Sequence, residues 1–204
     1  MDESTNTVAG EPTQDRMAIY KRARTGGRLL PGDLTRTALV ERMIRVNQAG
    51  EFGAARIYAG QLSVLGKSQD GPVLRKMAAQ EEKHLEGFNR LIAERHVRPT
   101  ALSPVWHVAG FALGAATALL GREAAMACTV AVEEVIDEHY AKQSAQLGDD
   151  EAELKEMVEE FRAEELEHRD IALDHGAANS PVYQPLTVAV KASSRLAIWL
   201  SERI

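Results

Sequence analysis

Four glutamates of this chain fall where amphipathic helices put their buried faces, and no fold can bury four bare carboxylates without a counter-charge. Glu51 interrupts the stripe Ile44, Asn47, Ala54, Tyr58, and Glu81 lies on Leu74, Met77, Ala78, Leu85, Phe88, Ile92. Glu133 interrupts Met126, Val130, Ile136, Tyr140, and Glu165 lies on Val158, Phe161, His168, Ala172. Positions spaced by three and four residues share one face of a helix, so each glutamate points at a core. An unpaired buried carboxylate is strongly destabilising, and something must neutralise it.

Two of the four open Glu-x-x-His motifs, Glu81–His84 and Glu165–His168. On a helix both ends of such a motif can reach one ion. With 21 glutamates and 6 histidines in the chain, one match is no surprise. The order is more telling: Glu51 precedes Glu81-x-x-His84 by 30 residues, and Glu133 precedes Glu165-x-x-His168 by 32. The chain therefore repeats a helix hairpin, each copy supplying one glutamate and one Glu-x-x-His. That is the donor set of ferritin-like di-iron bundles. Four carboxylates balance two ferrous ions, or two ferric ions with a bridging dianion, which suits oxygen chemistry. Carboxylate and imidazole donors favour iron or manganese over copper.

The expected fold is all-α: a ferritin-like four-helix bundle with two additional apolar helices. Asp33 is expected to cap the first helix, and Asp70-Gly71-Pro72 to open the second. Ser103-Pro104 is expected to cap and open the third, which ends at Gly121. A fourth helix starts near Arg122, a fifth is capped by Asp149 or Asp150, and a sixth follows Pro185. No stretch alternates with a period of two, so no sheet is expected.

Pro99 to Gly121 runs 23 residues without Asp, Glu, Lys or Arg. Its strongly apolar part, residues 105–120, is short for a bilayer crossing. A core helix, or one lying in the membrane interface, fits better. Gly110-Phe-Ala-Leu-Gly114 matches the small-xxx-small packing pattern, and Trp199 with Arg195 can anchor the last helix at an interface. Residues 1–30 read as a disordered arm, neither signal nor transit peptide, and residues 31–204 as one domain. The basic segment at 21–28 is either solvated tail or a headgroup contact. A net charge of −6 gives no reason to expect nucleic acid. A single cysteine, Cys128, excludes an intrachain disulfide, a zinc ribbon and an iron–sulfur cluster built from this chain alone.

Around the centre, Tyr140 faces inward, either as a hydrogen-bond donor and electron relay or as a core tyrosine. Asp137 is placed to orient a ligand histidine, and His175 either supports His168 or packs. Glu82, Glu86, Glu134, Glu138, Glu160, Glu164 and Glu167 read as solvated surface, and His96 and His107 as structural.

The segments 45–61 (RVNQAGEFGAARIYAGQ), 78–92, 127–140, 161–177 and 197–203 resemble the demethoxyubiquinone hydroxylases of ubiquinone biosynthesis. The resemblance runs from about residue 17 to the end. It implies that Glu51 and His84 bind one iron, Glu133 and His168 the other, with Glu81 and Glu165 bridging. It also matches His139 and Tyr140 to a histidine–tyrosine pair near the site. Gln48 and Phe52 depart from the usual histidine and tyrosine, and neither is a ligand. The implied protein is a monooxygenase that uses O2 at two iron ions to hydroxylate a demethoxylated ubiquinone ring. Electrons would come from NADH or the quinol, and no Rossmann-type nucleotide motif is present. Its implied partners are a polyprenylated quinone, the membrane surface, and either a second copy or other ubiquinone-biosynthesis proteins. Its implied place is peripheral, on the cytoplasmic face of a bacterial inner membrane. The apolar helices would take the prenyl tail. Two other readings stay open: a ferroxidase or iron-storage protein, and a non-enzymatic quinone- or lipid-binding module.

Overall fold

The computed structural model describes residues 32–204, and the expectations for residues 1–30 lie outside them. Six helices follow in order: α1 (Arg36–Leu65), α2 (Gly71–Glu94), α3 (Ser103–Leu119), α4 (Arg122–Ser144), α5 (Ala152–Asp174) and α6 (Tyr183–Ser201). Among the described residues there is no strand, and the architecture is the expected all-α, ferritin-like bundle with two added helices.

The helix starts differ from expectation. Thr35, not Asp33, caps α1 by accepting a hydrogen bond from the Ala38 amide at 3.2 Å. Ser103 donates to the Thr100 carbonyl, so Leu102 takes the cap position of α3. A short 3-10 turn precedes α5, and Asp150 pairs with Arg36 at 2.8 Å instead of capping it. Ser103 and Asp150 each find a turn or tertiary partner that local sequence does not reveal. Gly121, at φ 124°, makes the sharp turn between α3 and α4 in a region open to glycine. Gly176, at φ 87°, ends α5 as a left-handed cap.

Three apolar clusters form the core, the smallest around Cys128, Ala131, Val132 and Val190, and two of them flank the middle of the bundle. One joins Leu39, Met43 and Ile44 of α1, Phe88 and Leu91 of α2, Tyr140 of α4, and Leu154 and Val158 of α5. The other joins Tyr58, Leu74, Met77, Met126, Val130 and Ala172 from the same four helices. Along every one of these helices the inward glutamate lies between its contributions to the two clusters. The acidic residues thus form a layer across the waist of the bundle, sealed above and below by hydrocarbon.

The repeat is wider than the sequence suggested. α3 packs along α1, and α6 packs along α4, so each half is three helices. Glycines set the α1–α3 approach: a Cβ on Gly114 would overlap the Ile57 carbonyl, and one on Gly60 the Phe111 carbonyl. The small-xxx-small pattern at 110–114 is therefore a helix-packing seam inside this chain.

Candidate metal centre

All six sequence-selected donors meet in the waist layer, each no more than 1% exposed. Donor atoms of Glu51, Glu81, His84 and Glu165 lie within 4.8 Å of one another, as do those of Glu81, Glu133, Glu165 and His168. The two groups share Glu81 and Glu165. His84 Nδ1 lies 3.1 Å from Glu165 and 3.6 Å from Glu51. His168 Nδ1 lies 3.1 Å from Glu81 and 3.2 Å from Glu165. Phe161 stacks on the His84 ring at 4.1 Å between centroids and fixes its plane.

A second ring of residues repeats with the first. Tyr140 on α4 donates its hydroxyl proton to Glu51 on α1. Tyr58 on α1 donates to Glu133 on α4 at 3.0 Å. Each tyrosine stands seven residues after the glutamate of its own helix and serves the glutamate of the other. Tyr58 was visible in the sequence only as a core residue; the matched Glu-x6-Tyr spacing on α1 and α4 was the signal for it.

Several assignments change. Glu164 is half-buried and lies 2.6 Å from His84 Nε2, so it is not solvated surface. Asp137 pairs with Arg162 at 2.6 Å and orients no histidine. His175 pairs with buried Asp70 at 2.8 Å, away from His168. His139 is within 2.8 Å of Gln143, whose amide exchanges two hydrogen bonds with Asn47 on α1.

The electrostatics fit cations. Burial, then the neighbouring charge of Glu165, pushes the carboxyls of Glu81 and Glu133 well above the ordinary range. Burial also raises Glu51, against the hydrogen bond from His84. Burial alone would raise Glu165, but hydrogen bonds from His168 and His84 outweigh it and hold the group at about 2. Burial disfavours both imidazolium ions, yet Glu165 and Glu51 push His84 up to about 11, and Glu165 and Glu81 push His168 up to about 9. Protons thus occupy the centre where it lacks a better cation. Even so, Glu133 Oε2 and Glu81 Oε2 have no hydrogen-bond partner, and Glu51 Oε2 has only His84 Nδ1 at 3.6 Å. Oxygen and imidazole donors with unmet demand fit two divalent ions such as iron or manganese.

Beside this layer lies a cavity of about 330 Å³ between α1, α3, α4 and α6. Its wall includes Gly50, Gly53 and Ala54, which flank Glu51, and Val132, next to Glu133. A Cβ on Gly50 or Gly53 would meet nothing within 4 Å, so these glycines leave open space. Trp106 closes part of the wall and donates to Ser201 Oγ at 3.1 Å.

Fold and site together define a ferritin-like helical protein with a duplicated carboxylate–histidine centre. Residues 38–201 match the family described as ubiquinone biosynthesis protein COQ7, and the chain belongs to that family. It is 56% identical over 201 residues to the 3-demethoxyubiquinol 3-hydroxylase of Rhodospirillum rubrum, covering 98% of this chain and 95% of that one. It is 52% identical over 187 residues to the human mitochondrial NADPH-dependent 3-demethoxyubiquinone 3-hydroxylase, covering 90% and 85%. It is 42% identical over 184 residues to the 5-demethoxyubiquinone hydroxylase of Saccharomyces cerevisiae mitochondria, covering 82% and 79%.

Proposed function

We propose that this protein is a di-iron monooxygenase that hydroxylates the ring of a demethoxylated ubiquinone intermediate, with O2 as co-substrate. The observation that carries the proposal is the pair of buried donor groups sharing Glu81 and Glu165. Glu51 and His84 would hold one iron, Glu133 and His168 the other, and Glu81 and Glu165 would bridge. The irons supply oxygen activation.

The chain's own residues do the rest. Tyr140 and Tyr58 hold Glu51 and Glu133 by hydrogen bonds, so the outer carboxylates keep one orientation. Burial and the carboxylate charges push both phenols well above 10, so they remain donors. The apolar cavity excludes water and gives a quinone ring room beside Glu51, where Gly50 and Gly53 carry no side chain. Val105, Val108 and Leu119 on α3, Leu120 just after it, and Val188 and Trp199 on α6 expose a hydrocarbon face on the two helices that help line that cavity. This face would rest on a membrane and admit the prenyl tail. Among the described residues, no helix is long and apolar enough to cross one. The reductant is a reduced nicotinamide or the quinol; the human relative is named for NADPH. The location proposed with this reading is peripheral, at the cytoplasmic face of a bacterial inner membrane.

The test is anaerobic reconstitution with ferrous iron, then O2 and a short-tailed demethoxyubiquinone analogue. About two irons should bind per chain, and the product should gain one oxygen atom by mass. Glu81→Ala and His168→Ala should lose metal and turnover, while Glu82→Ala keeps both. A protein that mineralises iron and ignores quinones, or binds quinone without changing it, would overturn the proposal.

A further inference from the structure

Each Glu-x-x-His motif has a working residue one position earlier. Gln80 precedes Glu81, and Glu164 precedes Glu165. Each reaches across the bundle to the histidine of the other motif. Glu164 Oε2 lies 2.6 Å from His84 Nε2, and Gln80 Oε1 lies 3.2 Å from His168 Nε2. Both acceptors require Nε2 to donate, so Nδ1, which points at the carboxylates of the centre and donates to them in the metal-free chain, is the nitrogen that can give up its proton and ligate an ion. The crossing is as symmetric as that of Tyr58 and Tyr140, with one departure. One histidine is backed by a carboxylate and the other by a neutral amide.

The departure has a chemical consequence. An N–H bonded to a carboxylate makes a shorter, stronger hydrogen bond than one bonded to an amide oxygen, in line with 2.6 against 3.2 Å. It also makes the opposite ring nitrogen a stronger donor to a metal. We infer that Glu164 and Gln80 are positioning residues that make the two metal positions unequal, so that the Glu51–His84 position holds its ion more tightly than the Glu133–His168 position. This inference rests on the di-iron reading above. The tighter position loads first and empties last.

The test titrates metal-free protein anaerobically with cobalt(II), and separately with ferrous iron, following ligand-field absorption and heat. Wild type should take up two ions in two resolved steps. Glu164→Gln, which keeps size and removes charge, should weaken the tighter step by about 10- to 100-fold and bring the two steps together. Gln80→Glu should tighten the weaker step, and the double exchange should restore two resolved steps, which a purely structural role would not do. In a Glu133→Ala background, which keeps the Glu51–His84 donors, Glu164→Gln should weaken the remaining ion and Gln80→Glu should leave it unchanged. Melting in chelator monitors folding, and if Glu164→Gln misfolds the Gln80→Glu arm decides alone. Equal wild-type affinities, or constants untouched by both exchanges, overturn this inference while leaving the metal centre standing. A wild type that binds neither cobalt nor iron overturns the metal centre and this inference with it.

Discussion

Glu81 gives the sharpest stability test of the centre. It is wholly buried, Glu165 and Glu51 both repel its charge, and only His168 Nδ1, 3.1 Å away, opposes them. In chelator, burial first and Glu165 second push its carboxyl well above the ordinary carboxylate value of 4.5. The folded chain therefore keeps a proton that the unfolded chain releases. A raised carboxyl leaves stability intact below the unfolded value and removes it as pH rises toward the folded value. Each pH unit in that window costs about 1.4 kcal/mol. Glu81→Gln keeps the shape and removes the ionisation. Chelated variant and wild type should be equally stable near pH 4.5, and the variant should pull ahead by about 1.4 kcal/mol per unit above it. One unit corresponds to a melting gap of roughly 3–6 °C for a chain of this size. Ferrous iron under argon should invert the order, because an amide is a poor bridging ligand. A hundredfold excess over Kd stabilises wild type by about 2.7 kcal/mol per site. Urea denaturation by circular dichroism from pH 4.5 to 8, with chelator or iron, measures both arms. A chelated variant less stable than wild type at pH 7.5, or a gap that ignores pH, would refute the reasoning.

Other outcomes follow from packing and surface. Gly53→Leu should fill the cavity beside Glu51 and abolish turnover while iron stoichiometry holds, whereas Gly53→Ala should raise stability by about 0.5–1 kcal/mol by denaturant titration. Gly114→Leu should cost about 3 kcal/mol, read by urea midpoint, because its side chain would start inside the α1 backbone. Val108→Glu and Trp199→Glu should each weaken liposome flotation roughly tenfold, from about 1.5 kcal/mol of lost apolar burial; unchanged flotation would assign the face to another protein. Tyr58→Phe leaves Glu133 without its donor and should reduce metal retention on gel filtration while the metal-free fold melts within a few degrees of wild type.

The six candidate ligands were legible because burial and charge conflict along a single helix, and periodicity exposes such conflicts without any tertiary knowledge. Glu51, Glu81, Glu133 and Glu165 each break an apolar stripe, and the structure brings all four together with His84 and His168. Glu164 was not legible for the opposite reason. Its neighbours in sequence make it look solvated, and only the crossing of α2 and α5 sets it against His84. Asp137 erred in the same way: its spacing from Glu133 suggested a ligand partner, but Arg162 on the facing helix takes it. The packing of α3 on α1 was half-visible in Gly110 and Gly114, whereas the partner glycine Gly60 lay unremarked inside α1. Contacts within a helix can be read from spacing; contacts between helices need the crossing geometry.

The doubled hairpin has a consequence for how such a centre can diverge. Two identical hairpins meeting on a dyad would have to give both halves the same surroundings, since any substitution would appear twice. Here the two copies lie in one chain, so position 80 and position 164 mutate independently. Fusion frees the halves from symmetry: one chain can carry glutamine at one and glutamate at the other, and distinguish two ions with otherwise matched ligands.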